Sequence, residues 1–79
     1  MSTETSKELT FGQKLVGLTF NPSGDERIQR AKELCAELTD LLYPELKTTS
    51  IMKRLLCEHT IGEILNAQMN VVKVLTFKY

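Results

Sequence analysis

Residues 50–76 read SIMKRLLCEHTIGEILNAQMNVVKVLT. Ile51 or Met52 opens a series that runs through Leu55, Leu56, Ile61, Ile64, Leu65, Met69, Val72 and Leu75, with His59 on or beside it. Spacings of three and four place one face of an α-helix on an apolar partner, so the stretch predicts a single long helix over roughly 50–76. Thr48, Thr49 or Ser50 can cap its start through a side-chain oxygen. Val71-Val72-Lys73-Val74 would also suit a strand, but its attachment to a helical stripe favours helix. Gly62 costs about 1 kcal/mol inside a helix and marks either a kink or a close helix contact.

Upstream, Ile28, Ala31, Cys35, Leu38 and Leu42 repeat at helical spacings and predict a second helix over 25–42. Ser23 followed three residues later by Glu26 reads as its capping box, with Asp25 and Glu26 placed to complement the dipole. Tyr43-Pro44 ends it, because proline disfavours helix at the residue before it. The linker to Ser50 has room for one turn of helix. Further upstream, Thr10 and Gln13 form another capping box, and Phe11, Leu15 and Leu18 predict a two-turn helix that Gly17 weakens or ends. Residues 1–9 are polar and predict a frayed terminus.

The expectation is therefore an all-α single domain over 1–79: a short N-terminal helix, then an antiparallel hairpin of two longer helices. Two helices make a poor core alone. Leu55, Leu56, Ile64, Leu65, Val71, Val72, Val74 and Leu75 spread over more than one face of the last helix. The simplest cover for the surplus is a second copy of the chain, so a homo-oligomer is expected.

Composition narrows function. The chain has 79 residues, ten Lys+Arg against ten Asp+Glu, and no net charge. A polyanion binder of this size is usually strongly basic, so duplex DNA or RNA is not an expected partner. Two cysteines are too few for a disulfide-stapled secreted miniprotein. No apolar run is long enough to span a bilayer, and the polar, acidic start Met1-Ser2-Thr3-Glu4-Thr5-Ser6 is unlike a signal peptide, so the chain is expected in a cytoplasm with reduced thiols and no membrane partner.

Little in the sequence suggests catalysis or a cofactor. Cys57-Glu58-His59 lacks zinc-ligand spacing and a fourth ligand, so no metal is expected. A Cys–His nucleophile pair would need an oxyanion pocket that a short hairpin does not provide. Both cysteines read more simply as small buried residues. The stronger constellation is Phe20-Asn21-Pro22-Ser23-Gly24 leading into a helix with Arg27, Arg30 and Lys32. A helix start, an aromatic face and a basic side chain suit a phosphorylated planar ligand. Each residue also has a plainer reading. Asp25 and Glu26 oppose an anion there. Arg27 and Arg30 suit surface ion pairs, Phe20 a hydrophobic staple, and Lys32 a surface partner of Glu33 or Asp25.

One resemblance sharpens this. The segments Gly17-Leu18-Thr19-Phe20-Asn21-Pro22-Ser23, Ala31-Lys32-Glu33-Leu34-Cys35-Ala36-Glu37-Leu38 and Ala67-Gln68-Met69-Asn70-Val71-Val72-Lys73-Val74-Leu75 occur in that order. Together they resemble the helical-hairpin family of phage anti-CBASS cyclic-nucleotide sponges, most nearly its member from T4-type phages, over about residues 11–76. The resemblance implies a non-enzymatic homohexamer in the cytoplasm of the infected bacterial host, without a cofactor. It would sequester cyclic dinucleotides such as cyclic GMP-AMP, with cyclic trinucleotides in a second pocket.

On the matched positions, Phe20 would stack on a base and Lys32 would reach a phosphate in a pocket between protomers. Asn21 and Arg30 accompany them, and Asn70 and Lys73 are candidates for the second pocket. Family members often carry Tyr where Phe20 stands, and Arg where Lys73 stands. The first change keeps the stacking face without the hydroxyl; the second keeps a charge without the bidentate fork. Lys73 also suits the dipole at the end of the last helix, and Asn70 a solvent-facing position. The alternative function is a small helical protein–protein interaction or regulatory module.

Overall fold

The computed structural model describes residues 8–78. Most of the stretch expected to be frayed, residues 1–7, lies outside them. Among the described residues the chain is all-helical: α1 spans Phe11–Val16, α2 Glu26–Leu42 and α3 Ile51–Thr76, with a 3-10 turn over Tyr43–Leu46 between the last two.

Local chemistry sets most of the boundaries. Thr10 caps α1 through the expected reciprocal pair: its hydroxyl accepts from Gln13 N–H, and the Gln13 side chain accepts from Thr10 N–H. Gly17 ends α1 in the left-handed region at φ 67°, a conformation that costs glycine little. Pro44 does stop α2, but the chain tightens into the 3-10 turn rather than leaving helical geometry at once. Ser50 is the residue that caps α3.

The cap of α2 departs from the sequence expectation. Asp25, not Ser23, accepts from Arg27 N–H at 2.8 Å. Ser23 lies two residues before the capping position, so its hydroxyl instead accepts from Asp25 N–H and donates to Asn21 Oδ1. The Arg27 guanidinium, hydrogen-bonded to the Asp25 carboxylate, holds that carboxyl below its ordinary pKa.

α2 is the central element, with α1 and α3 both packed on it. Two contacts give the direction of α3: Cys57 Sγ–H reaches the Leu42 carbonyl, and the Arg27 guanidinium reaches the Leu75 carbonyl, each at 3.5 Å. The start of α3 therefore lies by the end of α2, and its end by the start of α2. α1 is held by its N-terminus. Asp40 on α2 accepts from Thr10 Oγ1 and from Gly12 N–H, both at 2.6 Å, and Phe11 stacks on Tyr43 with ring centroids 4.4 Å apart.

The apolar core is small: Val16, Ile28, Ala36, Cys57, Ile61 and Ile64. Three polar side chains are buried with it, Lys32, Thr39 and Gln68. Thr39 is fully buried at 0% exposure, and among the described residues its hydroxyl has no hydrogen-bond partner. The half-buried Thr60 and the exposed Thr76 both return their hydroxyls to the carbonyl four residues earlier. An orphaned buried hydroxyl costs about 1–3 kcal/mol. Thr39→Val keeps the β-branch and removes the orphan. It is expected to raise the melting temperature by about 5 °C, the equivalent of about 1 kcal/mol for a chain of this size. A fall in the melting temperature would show that the hydroxyl is satisfied.

Candidate functional site

The loop between α1 and α2 is tied down from α2. One turn apart on that helix, Gln29 and Lys32 both reach back to loop carbonyls. Gln29 Nε2 donates to Leu18 O at 3.2 Å. Lys32 Nζ donates to Gly17 O at 3.1 Å and to Phe20 O. Asn21 closes the loop from within, its amide donating to Asp25 O and to Gln29 Oε1 while its carbonyl oxygen accepts from Ser23.

Lys32 is thus not the surface lysine that pairing with Glu33 or Asp25 would make it. Only 7% of it is exposed. Its ammonium sits under the loop, 5.5 Å from the Phe20 ring centroid. An ammonium carries three protons. Two go to the loop carbonyls, which leaves one donor for a further acceptor. Phe20 does not act as a staple either: its ring is 70% exposed.

These residues border a cavity of about 330 Å³. Phe20, Asn21 and Lys32 line one side, with Pro22 and Ser23; Gln68, Met69, Val72 and Thr76 of α3 line the other, over Ile28. The lining is mostly apolar, with a single cation and a few hydroxyl and amide groups at its edges. That chemistry suits a flat, partly apolar anion. The lining holds no carboxylate and no imidazole.

Three of the four residues predicted for the first pocket therefore meet there, and Arg30 does not. It is exposed, it pairs with Glu33 at 3.2 Å, and it does not border the cavity. It lies two positions from Lys32, where a helix points its side chains to different faces. The predicted second-pocket residues also meet: Asn70 and Lys73 line a cavity of about 480 Å³ near the end of α3, with Val74 and Phe77.

Sequence reasoning missed the α3 wall of the first cavity, and Gln29 as an anchor of the loop. Gln68 carried a usable signal, a polar residue at a position where the apolar series Ile61, Ile64 would continue. It is nearly fully buried. Phe77, after the end of the last helix, carried none.

The remaining candidates lie elsewhere. Cys57 is buried against the end of α2, and burial pushes the Cys35 thiol above its ordinary pKa. His59 is exposed and pairs with Glu63 at 3.2 Å. Among the described residues, no group of three or more His, Cys, Asp or Glu side chains could hold a metal ion, and no helix is long and apolar enough to cross a membrane.

Among the described residues, the fold and cavity define three α-helices with a buried lysine under an exposed phenylalanine. No protein-family model matches the chain, and neither does any curated protein or solved structure.

Proposed function

We propose that the protein is a non-enzymatic homo-oligomer that binds and sequesters cyclic dinucleotide immune signals, such as cyclic GMP-AMP, in an infected bacterial cell, in the manner of the phage anti-CBASS sponges it resembles. The observation that carries this is the shared cavity of Phe20 and Lys32. An exposed ring can stack on a base, and the remaining donor of a buried ammonium can meet a phosphate oxygen. At about 330 Å³ the cavity lies at the small end of ligand pockets, which run from roughly 300 to 1,000 Å³.

A cyclic dinucleotide has two bases and two phosphates, so two copies of such a half-site, related by a twofold axis, would hold one ligand. Asn70 and Lys73, together in the second cavity, would serve a cyclic trinucleotide. The return of α3 along α2 supports the hairpin that this family would require.

The reading is tested by calorimetry against a panel of cyclic di- and trinucleotides, followed by release of the ligand with heat or protease. The expected result is saturable binding of a dinucleotide and its recovery intact. Recovery of linear product would make the protein an enzyme. Binding of no nucleotide would leave the alternative, a protein–protein module, for which the exposed Leu34, Leu38 and Leu41 stripe on α2 would be the contact face.

A further inference from the structure

Most of the polar side chains that line the first cavity are already committed within the chain. The Asn21 amide and the Ser23 hydroxyl each donate and accept in the loop. Lys32 gives two of its protons to loop carbonyls, and Thr76 gives its hydroxyl proton to Val72 O. Gln68 differs from all of them. Its residue is only 4% exposed, yet among the described residues its side-chain amide has no hydrogen-bond partner. It is not sealed in as the Thr39 hydroxyl is, because it opens on the cavity from the wall facing Phe20 and Lys32. Gln68 continues the buried seam of Cys57, Ile61 and Ile64, where an apolar side chain would pack without leaving a polar group unpaired.

We infer that Gln68 is the specificity-determining residue of this cavity, its amide reading the edge of an adenine base. The inference rests on the nucleotide reading proposed above and adds which base the site takes. Phe20 and Lys32 offer stacking and charge, which every nucleotide can use. Discrimination therefore falls to the uncommitted amide.

A carboxamide sets one acceptor, Oε1, beside the donors of Nε2. Adenine carries the complement on one edge, its N6 amine as donor beside N7 as acceptor, so two parallel hydrogen bonds form. On the same edge guanine has two acceptors, N7 and O6, and Oε1 would face a lone pair. Guanine's opposite edge does offer a donor beside an acceptor, but it brings a further amine with it. This mostly apolar lining holds no carboxylate and no second free amide to receive that amine, and a buried polar group without a partner is costly.

The test is an NMR titration of the full chain with adenosine monophosphate and with its 7-deaza analogue, which keeps the ring, amine and phosphate but lacks the N7 acceptor. The Gln68 side-chain amide signal, assigned by its absence from Gln68→Met, should move with adenosine monophosphate. Wild type should bind the 7-deaza analogue at least about fivefold more weakly, since the Nε2 donor is left unpaired. Gln68→Met, which keeps the length of the side chain, should bind both alike. Equal affinity of wild type for the two ligands, or a Gln68 signal that does not move at millimolar nucleotide, would overturn the inference.

A second measurement needs no ligand. Gln68→Met should melt about 5 °C higher than wild type, because the amide it removes has no partner to lose. A lower melting temperature would show that the protein itself holds the amide, and would overturn the inference. Calorimetry with cyclic di-AMP and cyclic di-GMP separates this residue from the function it serves. A preference for cyclic di-AMP that vanishes in Gln68→Met supports the assignment. Equal binding of the two by wild type would overturn the role of Gln68 and leave sequestration standing. If adenosine monophosphate is selected through Gln68 while no cyclic dinucleotide binds, sequestration fails and the base-reading residue stands.

Discussion

Phe20→Ala is expected to abolish cyclic dinucleotide binding while leaving the melting temperature within a degree or two of wild type. The ring is 70% exposed, so its removal takes little from the core. Stacking on a base contributes about 1–3 kcal/mol per ring, which is about 5- to 150-fold in affinity. If two copies each supply one ring to a ligand, the losses multiply. Calorimetry with wild type and variant checks the first half of the statement, and differential scanning calorimetry the second. Normal binding by Phe20→Ala would remove this cavity from the proposal.

Lys32 does not offer an equally clean test, and the reason is structural. Its ammonium holds Gly17 O and Phe20 O as well as facing the cavity. Hydrogen bonds to charged groups contribute about 1.5–3 kcal/mol. Lys32→Met, which keeps the buried stem, is therefore expected to lose binding and also to melt about 10 °C lower as the loop is released. The pair of variants separates recognition from loop anchoring: Phe20→Ala loses the first alone, Lys32→Met loses both. An unchanged melting temperature in Lys32→Met would mean that the lysine does not anchor the loop.

Gly12→Ala is expected to be the most damaging single methyl in the protein. A Cβ on Gly12 would lie 2.3 Å from the Ala36 carbonyl oxygen and 2.8 Å from Asp40 Oδ1. The first is backbone in the middle of α2 and cannot swing away. Relief requires α1 to lift off α2, which breaks the two hydrogen bonds to Asp40 and separates Phe11 from Tyr43. Overpacking of this kind costs about 1–3 kcal/mol, before the lost hydrogen bonds, out of roughly 4–12 kcal/mol for a chain of this size. The melting temperature should fall by about 10–20 °C. Asp40→Ala, which removes only the acceptor, should fall less. Equal effects of the two would mean that the hydrogen bonds, and not the close approach, hold α1.

The helices were legible because what makes them is local. The spacing of Ile61, Ile64 and Leu65, the reciprocal caps of Thr10 and Gln13, the left-handed Gly17 and the proline at 44 all act within about four residues along the chain, the range over which a helix closes its hydrogen bonds. The candidate site was legible in part for a similar reason: Phe20 and Asn21 belong to one loop, and Asn70 and Lys73 are neighbours on one helix face. Where two residues could do the same local task, as Ser23 and Asp25 could at the start of α2, the order of residues did not choose between them. The conformation of the loop did.

Contacts between distant segments could not be read this way. Gly12 lies against a carbonyl 24 residues away, and Cys57 caps a helix end 15 residues away. Lys32 points under its loop, and Arg30, two positions before it, points into solvent. Composition makes both residues simply basic. Periodicity says which residues share a face of α2 or α3, since each helix carries its own repeat. It does not say which face meets α1, which meets the neighbouring long helix and which stays open. Those assignments follow from how the helices cross, and the crossing is set by side chains and close backbone approaches that only the folded chain brings together.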